Sequence, residues 1–254
     1  MSAKSLLMPP DVNLHWVRPQ SIDLNLASIL SESEKDKASQ FAFEKDRRLY
    51  LAAHIFLRSI LSKYSGVEPE KLVFKHNAFG KPSLAAESKL CFNLSHTTGM
   101  IVCAISDCLD IGVDVENHKR IVEMKHILHS SFSSKEAKDV LQQSPRLQQH
   151  KRFFTYWTLK EAYVKGVGGG LTIPLKLCNF QQTDQGWKIL GRTQNRIKKT
   201  KWAFYNSTLG DEWVVSVAID VGLFSANQAL MVRITDSNSR ESFRWSSTAF
   251  EASI

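Results

Sequence analysis

Two acidic residues in one short segment have the spacing of a metal-binding strand. Residues 112–116 read GVDVE. In a β-strand alternate side chains share a face, so Asp114 and Glu116 point the same way while Val113 and Val115 face the core. Two neighbouring carboxylates repel each other unless a cation lies between them or both face water. The segment therefore predicts either a Mg²⁺ site, since this ion prefers carboxylate oxygens, or an exposed strand at a sheet edge.

A third carboxylate lies on a long predicted helix. Residues 153–165 read FFTYWTLKEAYVK, and helical periodicity places Glu161 on the same apolar stripe as Trp157 and Val164. A carboxylate on an apolar face needs a partner, because an unpaired buried charge is costly. Lys165 lies one turn further on and can form an intrahelical ion pair with Glu161. The alternative is that Glu161 is a third metal ligand or a general base.

A polar cluster ends one of the predicted strands, where residues 93–96 read NLSH. Adjacent strand residues face opposite sides of a sheet, which disfavours a nucleophile–base pair between Ser95 and His96. We expect a phosphate-binding cluster instead, with the Ser95 hydroxyl and His96 as donors. Lys81 follows Gly80 and precedes Pro82 in a tight turn, and by itself it reads as a surface lysine.

The elements that carry these residues can be placed from periodicity and turn chemistry. Ser133 and Glu136 fit a capping box that begins a helix, and a Gln-rich linker over residues 142–149 follows it. We predict long helices over residues 33–64 and 152–165, and strands over residues 71–74, 90–94, 100–106, 111–116, 178–180, 186–190, 201–205 and 212–219. Residues 100–105 resemble residues 213–219, which hints at two similar α+β halves that meet near Asp110.

Composition narrows the class of protein. The chain has 254 residues, 43% of them hydrophobic and 23% charged, with a formal net charge of +8. No apolar run approaches the length of a membrane span, and we expect a cytoplasmic protein that does not act on membranes. The basic cluster at residues 196–201 lacks the interleaved aromatic residues of a nucleic-acid site, so we expect no nucleic-acid partner. The four cysteines have no metal-site spacing, so we expect reduced, mostly buried thiols.

Four motifs in this order carry a family resemblance. The chain has GKP at residues 80–82, FNLSH at 92–96, GVDVE at 112–116 and WTLKEAYVK at 157–165. Together these motifs resemble the Sfp-type 4'-phosphopantetheinyl transferase family. The resemblance covers roughly residues 33–220, and the segment after it lies outside.

The resemblance implies an α+β fold, a pseudo-dimer of two similar α/β halves with coenzyme A in the cleft between them. The halves would span residues 1–110 and 111–234, followed by a polar tail over 235–254. It also implies site residues. Mg²⁺ would bind Asp114, Glu116 and Glu161; the catalytic residues would be Glu161, Lys165 and His96; and coenzyme A would contact Lys37, Lys45, Arg48, Lys81, Pro82, Asn93, Leu94, Ser95, His96, Asp114, Glu161 and Lys165.

The implied reaction moves the 4'-phosphopantetheine group of coenzyme A to a serine of an apo acyl or peptidyl carrier protein and releases 3',5'-ADP. Such carriers are acidic helical bundles, and the family implies a monomeric enzyme. The basic net charge of this chain suits that partner. Two alternatives are a module that binds coenzyme A or a nucleotide without turnover and a metal-dependent phosphodiesterase, although the second usually has more His and Asp ligands.

Overall fold

Two long helices organise the chain, one packed on a mixed, mostly antiparallel sheet and the other on an antiparallel sheet. The computed structural model describes residues 11–85, 88–107, 109–190, 201–222, 230–238 and 242–247. The first half contains β1 (Asp11–Val17), α1 (Glu32–Ser39), α2 (Glu44–Ser65), β2 (Phe74–His76), β3 (Pro82–Leu84), β4 (Leu90–Thr97) and β5 (Met100–Asp107). The second contains β6 (Ile111–Asn117), α3 (Met124–Ser131), α4 (Ser134–Leu141), α5 (Arg146–Val167), β7 (Asn179–Thr183), β8 (Gly186–Leu190), β9 (Trp202–Leu209) and β10 (Trp213–Asp220).

Two further strands return the chain to the first half. These are β11 (Leu230–Asp236) and β12 (Ser242–Ser247). The larger sheet has the order β12-β11-β1-β5-β4, and the smaller one has the order β6-β10-β9. Because β11 pairs in parallel with β1, the polar tail expected from residue 235 begins inside a strand of the larger sheet. Backbone hydrogen bonding along the free edge of β1 is the physical reason.

The sheets pack face to face over one apolar core, and each carries a helix on its other face. Strand alternation divides the side chains between the two sides. On β5, Val102 and Ala104 face the inter-sheet core, whereas Cys103 faces α2. On β6, Val113 and Val115 lie in the same inter-sheet core. Asp114 and Glu116 therefore point to the opposite face, towards α5, as the alternation predicts.

The two halves repeat the same helical construction. Capping boxes of Ser31 with Glu34 and of Ser133 with Glu136 begin α1 and α4. The long helices α2 and α5 each have 22 residues and each end at a glycine in the left-handed conformation, which is a common way to satisfy the last carbonyls. Each half also has a strand with neighbours on both sides: β5 lies between β1 and β4, and β10 lies between β6 and β9. The two-half architecture inferred from the residue pattern thus matches the observed helices and these two strands.

Some predicted elements differ from the observed ones. The helix predicted over residues 33–64 is two helices, because the chain bends between Gln40 and Phe43 and α1 turns back against α2. The strand predicted over residues 71–74 is wrong: a 3-10 turn at Pro69–Lys71 precedes it, and β2 starts only at Phe74. The carbonyl of Leu72 accepts a hydrogen bond from buried Arg58, which holds this segment away from the sheets.

The remaining differences are local. Helix α5 begins at Arg146, so the Gln-rich linker is shorter than predicted. Cys103 and Cys178 are buried and Cys91 is half-buried, whereas Cys108 lies outside the described residues. The basic cluster at residues 196–201 also lies outside them, except for its last residue. Within the described ranges, no helix combines the length and hydropathy needed to span a bilayer.

Candidate active site

A cleft between the two halves is lined by six of the predicted site residues. Its cavity has a volume of about 440 Å³. The wall from the first half is formed by Phe79, Gly80, Lys81, Pro82, Asn93 and Leu94. The wall from the second half is formed by Ser131, Glu161, Val164, Lys165, Gly168, Gly170, Leu171, Ile173, Pro174 and Leu175. The lining is thus mostly apolar, and its charged residues are Lys81, Glu161 and Lys165.

Asn93 joins the two sheets at the base of the cleft. Its Oδ1 accepts a hydrogen bond of 2.8 Å from the backbone N–H of Val113. Among the described strands β6 pairs only with β10, so this N–H lies on the edge of β6 that no described strand covers. A buried N–H without a partner is costly, so the Asn93 amide both satisfies it and sets β4 beside β6. Asn93 was predicted to line the pocket, and it does so while holding the halves in register.

Lys165, Ser95 and Asp114 form a compact hydrogen-bonded group across the cleft. Lys165 Nζ donates to Asp114 Oδ1 at 2.7 Å and to Ser95 Oγ at 2.9 Å. Ser95 Oγ in turn donates to Asp114 Oδ1 at 2.8 Å. The intrahelical pair predicted between Lys165 and Glu161 gives way to this contact, because the strand face of Asp114 lies directly opposite the helix.

Two glutamates lie close to Asp114 in the acidic group. Burial, and then the charge of Asp114, raises the pKa of both Glu116 and Glu161. Asp114 Oδ2 is buried and has no hydrogen-bond donor. Among the described residues, no three acidic, His or Cys side chains converge as a ready-made metal cage. A buried acceptor without a donor among repelling carboxylates nevertheless fits a cation whose remaining ligands come from a phosphorylated substrate.

Glu116 is held at the outer end of the acidic group. Its Oε2 accepts a hydrogen bond of 3.2 Å from Thr97 Oγ1 and lies 3.3 Å from Arg120 Nη1. Arg120 also stacks over the ring of Phe154 on α5. The sequence analysis missed both Thr97 and Arg120. Strand alternation could have identified Thr97, two positions after Ser95, and helix-like spacing could have identified Arg120, four positions after Glu116.

Lys81 fastens the β2–β3 hairpin to the end of α5. Its Nζ donates to the carbonyl of Gly166 at 2.6 Å and lies 3.7 Å from Asp110 Oδ1. The Asn77 side chain of the same hairpin donates to the carbonyl of Gly168 at 2.8 Å. Burial lowers the pKa of Lys81, although Asp110 opposes this shift. The hairpin therefore closes one side of the cleft, with Lys81 at its wall rather than free on the surface.

His96 and Lys37, two further predicted site residues, do not line the cavity. Ser95 is buried and His96 is exposed, so the two side chains face opposite sides as predicted. Loss of solvent around the ring, followed by the charges of Lys165 and His54, lowers the pKa of His96 to about 4. Lys37 lies 5.8 Å from the ring of Tyr50 on α2.

The other two basic residues predicted to contact coenzyme A lie on the first turns of α2. Lys45 and Arg48 are exposed. Lys45 lies over the ring of Phe43 at 5.8 Å. A hydrogen bond from Arg47 and, to a smaller extent, the charge of Arg48 lower the pKa of Glu44. The structure thus brings together Asn93, Leu94, Lys81, Pro82, Glu161 and Lys165 as lining residues of one cavity. The predicted site residues that do not line it are Lys37, Lys45, Arg48, Ser95, His96, Asp114 and Glu116.

Comparisons with known proteins agree with this arrangement. Residues 110–218 match the 4'-phosphopantetheinyl transferase superfamily, and residues 15–108 match the family described as 4'-phosphopantetheinyl transferase, N-terminal. The 4'-phosphopantetheinyl transferase HetI of Nostoc sp. is 37% identical over 188 residues, which cover 68% of this chain and 77% of that protein. The 4'-phosphopantetheinyl transferase of Bacillus subtilis is 30% identical over 161 residues, or 63% of this chain and 70% of that protein.

One solved structure also matches part of the chain. It is a holo-(acyl-carrier-protein) synthase from Bacillus anthracis in complex with CoA (3',5'-ADP), with a TM-score of 0.38 and 17% identity, and the match covers 44% of this chain and 94% of that one. The family assignment rests on the sequence matches, which together extend over both halves of the cleft. The chain belongs to the 4'-phosphopantetheinyl transferase superfamily.

Proposed function

We propose that this protein transfers the 4'-phosphopantetheine group of coenzyme A to a serine of an apo acyl or peptidyl carrier protein. One observation carries the proposal: Lys165 contacts Asp114 at the mouth of a 440 Å³ cavity, beside a buried carboxylate oxygen without a donor. A lysine and a group of carboxylates beside a mostly apolar cavity suit a substrate that has a diphosphate and an apolar arm. Coenzyme A has both.

Mg²⁺ fits the acidic group once substrate phosphate is present. Asp114, Glu116 and Glu161 would hold the ion, because it binds a few carboxylates together with phosphate oxygens and water. When bound, it would neutralise charge on the diphosphate of coenzyme A. Lys165 adds a second positive charge to the same group, and His96 contributes a donor at its edge. Stabilising phosphoryl oxygens in this way is the main task of a phosphoryl-transfer enzyme.

The apolar part of the cavity lining suits the pantetheine arm. Phe79 belongs to the hairpin that Lys81 fastens to α5, and Leu171 and Ile173 follow α5 on the opposite wall. Asn93 and Leu94 line the same cavity. An arm placed here would be positioned with its phosphate next to Lys165. Positioning of this kind lowers the barrier by removing the entropy cost of aligning two reactants.

Glu161 is our choice for the group that accepts the serine proton. The carrier serine Oγ would attack the β-phosphorus of coenzyme A, form the new O–P bond, and break the bond to 3',5'-ADP, while its proton passes to the Glu161 carboxylate. Burial and the charge of Asp114 raise the pKa of Glu161, which makes this carboxylate a better base than an exposed one. It lines the cavity on the rigid helix α5.

The carrier partner is inferred from charge. The chain carries a net charge of +8, and acidic carriers would be attracted to it over a distance set by ionic strength. We infer that the enzyme acts as a cytoplasmic monomer, because one chain already contains both walls of the cleft.

The test is intact-mass spectrometry of an apo carrier protein incubated with this protein, coenzyme A and Mg²⁺, with EDTA in a parallel sample. We expect a mass gain equal to phosphopantetheine that EDTA abolishes, and we expect Asp114→Asn to abolish it as well. If several acidic carriers gain no mass while the protein still binds coenzyme A, the non-catalytic binding module is the better assignment.

A further inference from the structure

Arg120 contacts both oxygens of Glu116, the outermost carboxylate of the acidic group. Its Nη1 lies 3.3 Å from Glu116 Oε2, and its Nη2 donates to Oε1 at 3.4 Å. Thr97 Oγ1 is a further donor to Oε2, at 3.2 Å. Two contacts from one planar guanidinium orient a carboxylate as well as neutralise it. Glu116 is therefore already bound, through both oxygens, to a cation of this chain.

The turn after β6 carries Arg120 back towards the strand. The backbone N–H of Arg120 donates to the carbonyl of Asn117 at 3.1 Å, and the backbone N–H of Lys119 donates to Asn117 Oδ1 at 2.8 Å. The backbone N–H of His118 donates to the carbonyl of Glu212 at 2.9 Å, which anchors the turn to the loop between β9 and β10. Backbone groups thus determine the turn, so replacing the Arg120 side chain should leave it intact.

Arg120 reaches Glu116 from the solvent side. The side chain of Arg120 is 48% exposed, whereas that of Glu116 is 14% exposed. The guanidinium carbon also lies 5.5 Å from the ring centroid of Phe154 on α5, and this cation–π contact does not depend on Glu116. The guanidinium can therefore leave the carboxylate without being buried elsewhere, while Glu116 stays fixed by its strand.

Two cations in contact with the acidic group differ in their relation to the cavity. Lys165 contacts Asp114 and lines the cavity, so it remains beside a ligand that enters. Arg120 contacts Glu116 and does not line the cavity. Glu116 would offer a bound divalent ion the same oxygens that it offers to Arg120, and two cations that share one carboxylate repel each other. Arg120 and a metal ion would therefore compete for this residue.

We propose that Arg120 competes with Mg²⁺ for Glu116 and so makes tight binding of the ion depend on coenzyme A. The inference rests on the proposed function, and Arg120 is a positioning residue in it, since it acts through Glu116. The diphosphate of coenzyme A adds anionic oxygens to the ligands of the ion, and these offset the competition from the arginine. Metal and substrate would then promote each other's binding, because a coupling free energy between two sites is reciprocal.

The test measures Mn²⁺ binding from the electron paramagnetic resonance signal of the free ion, with and without coenzyme A and in the absence of carrier protein. Mn²⁺ suits the same carboxylate and water ligands as Mg²⁺. We expect Arg120→Gln to tighten Mn²⁺ binding about tenfold without coenzyme A and less than about threefold with it, since coupling between ligands is usually of this size. Arg120→Lys keeps the charge and should stay close to the unchanged protein. Lys119→Gln is the matched control, because it removes the same charge from a side chain that is 49% exposed and pairs with Glu212 instead.

A weaker affinity of Arg120→Gln for Mn²⁺ would overturn the inference, because the arginine would then only hold Glu116 in place. Equal tightening by Lys119→Gln would overturn it too, since net charge alone would explain the effect. If the unchanged protein binds Mn²⁺ equally well with and without coenzyme A, no coupling exists and the inference fails, whatever the transfer assay shows. If Arg120→Gln shows the expected gain but no apo carrier gains mass, the inference holds and only the proposed function fails.

Discussion

Gly112 on β6 and Gly166 on α5 lie so close together that neither has room for a side chain. A Cβ on Gly112 would collide with the carbonyl of Ala162 and the backbone N of Gly166. A Cβ on Gly166 would collide with the ring of Trp202. This close approach brings Glu161 and Lys165 within reach of Asp114. The glycine of the GVDVE segment thus lets α5 approach β6 closely enough for Lys165 to reach Asp114.

Gly112→Ala should destabilise the protein and disturb its site. Because the neighbouring atoms belong to the backbone of α5, the helix must move, and overpacking of this kind costs about 2 to 3 kcal/mol. Urea unfolding measures the loss. Gly66→Ala is the contrasting variant, since nothing lies within 4 Å of its Cβ and only its left-handed backbone is strained, at about 1 kcal/mol. Equal losses for the two variants would contradict the close-packing explanation.

Lys165→Gln should lower turnover about 100-fold, the usual effect of removing one group that stabilises developing charge. Its Nζ contacts both Asp114 and Ser95. Lys63 occupies the position in α2 that Lys165 occupies in α5, and Ser59 occupies the position of Glu161. Lys63 and Ser59 line a second, smaller cavity. Lys63→Gln is therefore the matched control, and steady-state kinetics should leave it close to the unchanged enzyme. A comparable loss in Lys63→Gln would contradict the assignment of the site to one cleft.

Lys160→Met should destabilise the protein by about 3 to 5 kcal/mol, because it leaves the buried charge of Glu136 without its partner. The side chains of Lys160 and Glu136 are 0% and 1% exposed. Thermal and urea unfolding measure the change. Lys71→Met removes an exposed ion pair with Glu68 and should cost less than about 1 kcal/mol. A small effect of Lys160→Met would mean that Glu136 is neutral in the folded protein.

Acid should remove a defined part of the stability through Glu34. Its pKa is lowered from 4.5 to about 2 in the folded protein. The folded state therefore binds the proton less tightly than the unfolded state, so the contribution is complete above pH 4.5 and disappears as pH falls towards 2. We expect about 2 to 3 kcal/mol from this group. Glu34→Gln should flatten the stability profile between these values, and an unchanged slope would contradict the shift.

The sequence by itself determined the residues of the site and the elements that carry them. Strand alternation put Asp114 and Glu116 on one face with the neighbouring valines in the core, as observed. The same rule separated Ser95 from His96. Helical periodicity and capping chemistry identified α4 and most of α5. These properties depend on residues within a few positions of one another, and local backbone geometry decides them.

Only the tertiary structure decided which groups meet. It pairs Lys165 with Asp114 rather than Glu161, fastens Lys81 to the end of α5, and returns β11 to the edge of β1. Each contact joins segments far apart in the chain, so it depends on how the two halves pack and on which buried polar groups need partners. Local pattern carries no information about that packing.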